Sequence, residues 1–186
     1  MADRIVPTRK VLVLVMGVAG SGKSTLAKAL LERMVCVYLD NNFIADAFYA
    51  NTRTDPQYVR LRPHLYSALY RIAEENLAVG NSVLLDVPHV KDVQDPKWCD
   101  FIQGLADGRR ARLIVLRSFC SEDCLRKRLS ERKEERDAWK FDNWEEFCRR
   151  EPIDVTIPFE HMDIDMELPL QIAVERAWNY VLDRIR

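Results

Sequence analysis

The chain has 186 residues, 48% hydrophobic and 31% charged, and its 28 Lys/Arg against 29 Asp/Glu leave a formal charge of −1. This is enough apolar material for one compact core, and the near-neutral total excludes attachment to nucleic acid or an anionic membrane by bulk electrostatics. Only 6 Gly and 8 Pro exclude a low-complexity chain, and nowhere do the roughly 18 consecutive apolar residues of a membrane span occur.

In chain order, Met1, Ala2, Asp3 and Arg4 precede a short apolar run that enters glycines without a small-residue cleavage site, which is not the pattern of a secretion signal. Short β-rich apolar runs then alternate with helical patterns, the mark of an α/β fold with a mainly parallel sheet. A first strand over 11–16 leads through glycines into a helix over 23–34. A second strand over 35–39 ends at Asp40, with a helix expected from Asn41. A long helix over 63–79 carries Leu65, Leu69, Ile72 and Leu77 on one face and stops at Gly80 and Asn81. The third strand, 82–85, ends at Asp86; a helix over 96–106 stops at Gly108, and a fourth strand spans 112–116. Helices over 122–132 and 144–150, a weaker strand near 161–164 and a closing helix over 168–185 complete the pattern. Without repeats or a Pro/Gly/Ser linker, residues 1–186 read as a single domain.

Five cysteines, an odd number, in a chain large enough to fold without staples fit reduced thiols in a cytoplasmic protein. Cys120 and Cys124 share a helix face, but no second Cys/His pair gives metal-ligand spacing, so buried or half-buried thiols are expected.

The most specific motif follows the first strand. Gly17-Val18-Ala19-Gly20-Ser21-Gly22-Lys23-Ser24-Thr25 matches G-x-x-x-x-G-K-[ST] position by position. Glycines let backbone N–H groups close around a phosphate, and the following helix adds its positive N-terminal dipole. Gly17, Gly20, Ser21, Gly22, Lys23, Ser24 and Thr25 are therefore the expected nucleotide-binding residues. Lys23 reaches the β- and γ-phosphates, and the Ser24 hydroxyl holds Mg²⁺. The N-K-x-D signature of a guanine-specific switch is absent from the chain.

In a parallel sheet the carboxyl ends of the strands share an edge with this loop, which makes Asp40 a candidate base toward an acceptor hydroxyl and Asp86 a Walker B-like carboxylate for the metal or acceptor. The competing reading is local: Asp40 as a helix cap, Asp86 in the turn at Val87, Pro88 and His89. Residues 122–137 interleave six Lys/Arg with six Asp/Glu. On a continuous helix, Arg128, Arg132 and Arg136 form one stripe, which suits a lid over the triphosphate; Arg128 and Arg132 lead. Salt bridging such as Glu122 to Arg126 is the plain alternative. Arg53, Arg60, Arg62, His64 and Tyr66 form a candidate acceptor cluster, while Tyr66 and Tyr70 also suit core packing.

With these elements in order, the chain resembles the small P-loop kinases, nearest to chloramphenicol phosphotransferase-like and polynucleotide kinase-like ATP-binding proteins. The resemblance implies a three-layer P-loop NTPase fold with a five-stranded parallel sheet, helices on both faces and an Arg-rich lid over about 125–150. It also implies ATP and Mg²⁺ as cofactors, Asp40 as base, and adenine between the lid root and the loop 163–169. The expected activity is transfer of the γ-phosphate of ATP to a hydroxyl of a small-molecule acceptor, by a monomer or homodimer away from the membrane. A 5′-hydroxyl polynucleotide kinase and a nucleotide-binding regulatory ATPase are the alternatives.

Overall fold

The computed structural model describes residues 4–49 and 53–186. Residues 1–3, at the head of the segment that does not read as a secretion signal, lie outside the described residues. Five parallel strands, β1 (Val11–Met16), β2 (Val37–Asp40), β3 (Val83–Asp86), β4 (Arg112–Phe119) and β5 (His161–Asp165), form one sheet in the order β2-β3-β1-β4-β5. No helix among the described residues is long and apolar enough to cross a membrane.

The β1 sequence VLVLVM is apolar at every position because both of its faces are covered. Leu12, Leu14 and Met16 point into a core shared with helices α3 (Pro56–Ala78) and α4 (Pro96–Gly108). Val11, Val13 and Val15 point into a second core shared with α1 (Lys23–Leu31) and α8 (Leu170–Ile185). All six β1 residues are fully buried. Among the described residues the remaining α-helices are α2 (Asn41–Tyr49), α5 (Glu122–Arg132), α6 (Ala138–Asp142) and α7 (Trp144–Arg150). After β1 the chain passes over the place of β3 to build β2, so a crevice opens at the carboxyl ends of β1 and β3.

Several boundaries differ from the sequence expectation. The long helix starts at Pro56, not at Pro63, because Asp55 caps it by accepting from Gln57 N (2.7 Å) and Tyr58 N (3.3 Å), with Pro56 in the first turn. Pro63 sits inside the helix, where it forgoes one backbone bond. Gly108 belongs to α4, and the left-handed residue after it is Arg110 (φ 53°). The fourth strand runs on to Phe119 because Arg117, Ser118 and Phe119 pair with Asp163, Ile164 and Asp165. The arginine stripe is not on one helix: α5 ends at Arg132, Lys133 takes a left-handed conformation (φ 51°), and Arg136 lies on a 3-10 turn, Glu135–Asp137.

Candidate active site

A cavity of about 1200 Å³ opens at the carboxyl edge of the sheet, floored by Gly20, Gly22, Lys23, Ser24 and Thr25 and reached by Asp40, Asp86, Arg128, Arg132 and Arg136. Gly17 and Ser21 do not line it. Gly17 (φ 147°) lies beneath the loop, where an added Cβ would sit 2.3 Å from the Ser118 carbonyl oxygen. Ser21 is fully buried: its N–H donates to Val18 O (3.1 Å) and its hydroxyl bonds Ser118 Oγ (2.8 Å). These two residues shape the loop from below. Gly22 (φ 98°) caps α1 in a left-handed conformation, and a Cβ there would meet Met166 Cε at 2.9 Å. The first intrahelical bond is Leu26 N to Gly22 O (3.0 Å), so the N–H groups of Lys23, Ser24 and Thr25 have no partner within the helix.

Lys23 Nζ donates to Val18 O (3.0 Å), folded back onto its own loop. Burial pushes its pKa below the ordinary lysine value, opposed by the charge of Asp86. Asp40 and Asp86 are register partners at the ends of β2 and β3 and are 7% and 3% exposed. Parallel pairing therefore sets two carboxylates side by side. Tyr38, two residues before Asp40 and so on the same strand face, donates to Asp86 Oδ2 (2.9 Å) and lies 3.4 Å from Asp40 Oδ2. Asp40 Oδ1 accepts from Asn42 N (2.8 Å), which makes Asp40 a cap and a cavity-lining carboxylate at once. Desolvation raises the Asp40 pKa, helped by Asp86 and opposed by the Asn42 N–H and Lys23.

The lid arginines are not unpaired. Arg128 donates to Met166 O (2.5 Å) and reaches Ser21 O (3.5 Å), tying α5 to the glycine-rich loop. Arg132 donates through Nε to the fully buried Asp137 (2.9 Å), and Arg136 pairs with Asp46 (2.9 Å) and Glu134 (2.5 Å). Glu122 accepts from Trp144 Nε1, while Arg126 lies over the Trp144 ring (4.8 Å). The expected adenine region is a built wall: Ser121 N donates to Glu167 Oε1 (2.6 Å), Met166 N to Phe119 O (2.9 Å), and Leu168 and Leu170 face the cavity.

Of the candidate acceptor cluster, Arg53, Arg62 and Tyr66 line the cavity, and Arg60 and His64 do not. A hydrogen-bond chain that sequence reasoning missed sets this wall. Trp98 Nε1 donates to Tyr70 Oη (3.3 Å), which contacts His89 Nε2 (2.5 Å), and His89 Nδ1 contacts Asp92 Oδ2 (2.6 Å). Burial lowers the His89 pKa despite Asp92, which favours the neutral imidazole; in that form Nδ1–H toward Asp92 leaves Nε2 to accept from Tyr70. Tyr38 was legible through strand alternation; Asp137, Lys140 and this chain carried no motif.

Residues 12–150 match a family profile described as an AAA domain. No curated protein matches the chain. Among the solved structures that share its fold are the following three. A candidate kinase from Chloroflexus aurantiacus J-10-fl is 20% identical, with 96% of this chain and 100% of that one covered and a TM-score of 0.73. A sugar kinase from Janibacter sp. HTCC2649 is 17% identical over 92% and 94% of the two chains, with a TM-score of 0.68. Kti12 of Chaetomium thermophilum, in complex with ADP-AlF3, is 18% identical over 94% and 99%, with a TM-score of 0.65. At these identities the likeness is one of fold.

Proposed function

The chain belongs to the AAA-domain family, and from that membership and the geometry of the cavity we propose that it is an ATP- and Mg²⁺-dependent kinase acting on a hydroxyl of a small molecule. The observation that carries this reading is the pairing of Asp40 with Asp86 at adjacent strand ends, over a phosphate loop whose lysine feels both carboxylates. Kti12, of the same fold and in complex with ADP-AlF3, supports nucleotide binding, and the sugar kinase of the same fold supports an alcohol acceptor.

The residues present fit a triphosphate and its metal. Gly22 lines the cavity with a φ of 98° that side-chain-bearing residues rarely adopt, the N–H groups at the start of α1 lack helical partners, and Lys23, Ser24 and Asp86 line the same cavity. Lys23 and the N–H groups hold phosphate oxygens, while Ser24 and Asp86 supply oxygen ligands or water contacts for Mg²⁺. Bound together, the nucleotide supplies the transferable group and Mg²⁺ offsets its charge. Asp40 takes the acceptor proton at Oδ2, because Oδ1 is engaged by Asn42 N and Tyr38 donates preferentially to Asp86. The raised Asp40 pKa brings its basicity closer to neutral pH, as general-base work favours. Arg132 stabilises transferring charge, and Arg128 holds the lid root against the loop. The reading takes 1–186 as one domain with a lid over about 125–150.

The test is γ-labelled ATP incubated with a metabolite pool. Label should appear in an organic phosphate ester; a nucleotide-binding regulatory ATPase yields only free phosphate. Asp40→Asn should lower transfer by roughly 10²- to 10⁴-fold with circular dichroism unchanged, and a fully active Asp40→Asn protein removes the base assignment. A nucleic-acid 5′-hydroxyl is the second reading, favoured by Arg53, Arg62, Tyr58, Tyr66 and Trp98 along the acceptor wall. It requires activity that falls steeply with salt.

A further inference from the structure

The lid contains a carboxylate that the roles above leave unexplained. Asp137 is completely buried, yet both its oxygens are engaged by cations: Oδ2 by Arg132, through Nε (2.9 Å) and Nη2, and Oδ1 by Lys140 Nζ. A bare carboxylate with no exposure would be driven toward its neutral form. Here burial acts upward on its pKa, but the charge of Lys140 and the hydrogen bonds from Lys140 and Arg132 win and hold it below the usual range. Asp137 is therefore a fixed anion that two side chains share.

One carboxylate between two cations leaves a surplus positive charge. Glu134 offsets it only in part, because it lies 3.9 Å from Arg132 Nε and is shared with Arg136, 2.5 Å away at Nε. Arg132 and Lys140 both line the cavity with Glu151, and each counts among the like charges acting on Lys23, where Asp86 and Glu151 act in the opposite sense. Three cationic side chains thus face one volume above the phosphate loop, an arrangement that a multiply charged anion would stabilise. Lys140 Nζ also lies 5.5 Å from the centre of the Phe147 ring.

We propose that Lys140 is a second phosphate-contacting cation of the lid, beside Arg132, and that Asp137 is the positioning residue that aims both at the terminal phosphoryl group of bound ATP. The inference rests on the kinase reading above, and its test needs no knowledge of the acceptor. The affinities of the magnesium complexes of AMPPNP and of ADP are measured by calorimetry for the wild type, Lys140→Met, Asp137→Asn, Asp137→Glu and the Lys140→Met/Asp137→Asn double variant. The wild type should prefer AMPPNP. Lys140→Met and Asp137→Asn should each weaken AMPPNP about 10-fold while leaving ADP within about 2-fold.

Asp137→Glu should recover part of that preference, and the double variant should lose less than the product of the single losses, because both act on one contact. General damage to the lid would lower both affinities together, which separates positioning from folding. Lys140→Met keeps the Asp137–Arg132 pair, so it reports even if Asp137→Asn fails to fold. A wild type that discriminates and a Lys140→Met protein that discriminates equally well would overturn the clamp alone. A wild type indifferent to the terminal phosphate would overturn the kinase reading beneath it.

Discussion

Among single residues, the phosphate loop separates glycines that line the cavity from a glycine that lies beneath it. Gly17 is the latter. Its φ of 147° and the 2.3 Å that would separate a Cβ there from the Ser118 carbonyl oxygen leave backbone as the obstacle, which a flexible side chain cannot relieve. Gly17→Ala is expected to destabilise the fold by more than about 2 kcal/mol in urea titration, whether or not nucleotide is added. His89 is a second residue with a measurable signature. Its pKa lies below 6.5 in the folded protein because of burial, so the unfolded chain binds a proton first on acidification. Its neutral form therefore supports the fold fully above pH 6.5, and that support declines as pH falls from 6.5 toward the lower folded value. The slope approaches about 1.4 kcal/mol per pH unit for one proton. Urea midpoints at pH 7.5 and 5.5 should show a smaller difference for His89→Gln than for the wild type.

At the scale of elements, the periodicity of each helix was readable but its ends depended on partners. The α3 start moved to Pro56 because the Asp55 cap completes a first turn whose apolar pattern is weak; Val59 and Leu61 stay exposed. The arginine stripe failed for a related reason. Spacing by four presumes that the helix continues, whereas Lys133 terminates α5 and the buried Asp137 draws Arg132 and Lys140 around itself. α4 offers a clean test of what remains local. Gly104 lies within it, with ordinary backbone geometry and nothing within 4 Å of a Cβ. Gly104→Ala should raise stability by about 0.5–1 kcal/mol by removing backbone freedom from the unfolded chain, measured as a shifted urea midpoint at constant slope.

Across the molecule as a whole, β1 is the hub of both cores, paired with β3 on one side and β4 on the other. Leu14, fully buried at its middle, should cost about 2–5 kcal/mol when replaced by Ala, and β1 amides should exchange more slowly than those of edge strand β2. The same arrangement places the phosphate loop between the two strands whose ends form the crevice. Nucleotide that binds only the folded state should therefore add stability by mass action, about 2.7 kcal/mol at 100 times its Kd, read as a rise in melting temperature that Lys23→Ala abolishes.

The order of amino acids was sufficient for the part whose chemistry is written consecutively: the α/β alternation, the succession of apolar runs, the phosphate loop and the acidic residue after each of two strands. Backbone conformation and hydrogen bonding there depend on neighbours a few positions away, and glycine, lysine and strand-end carboxylates leave that mark directly. Only packing in three dimensions fixed which of these residues face the cavity and what their side chains touch. Ser21 turned to Ser118, Tyr38 to Asp86, and Trp98, Tyr70 and His89 joined into one chain. Partners so distant along the chain leave no periodic trace. Which side chain satisfies a buried polar group is settled only by where packing brings the next donor or acceptor within hydrogen-bond reach.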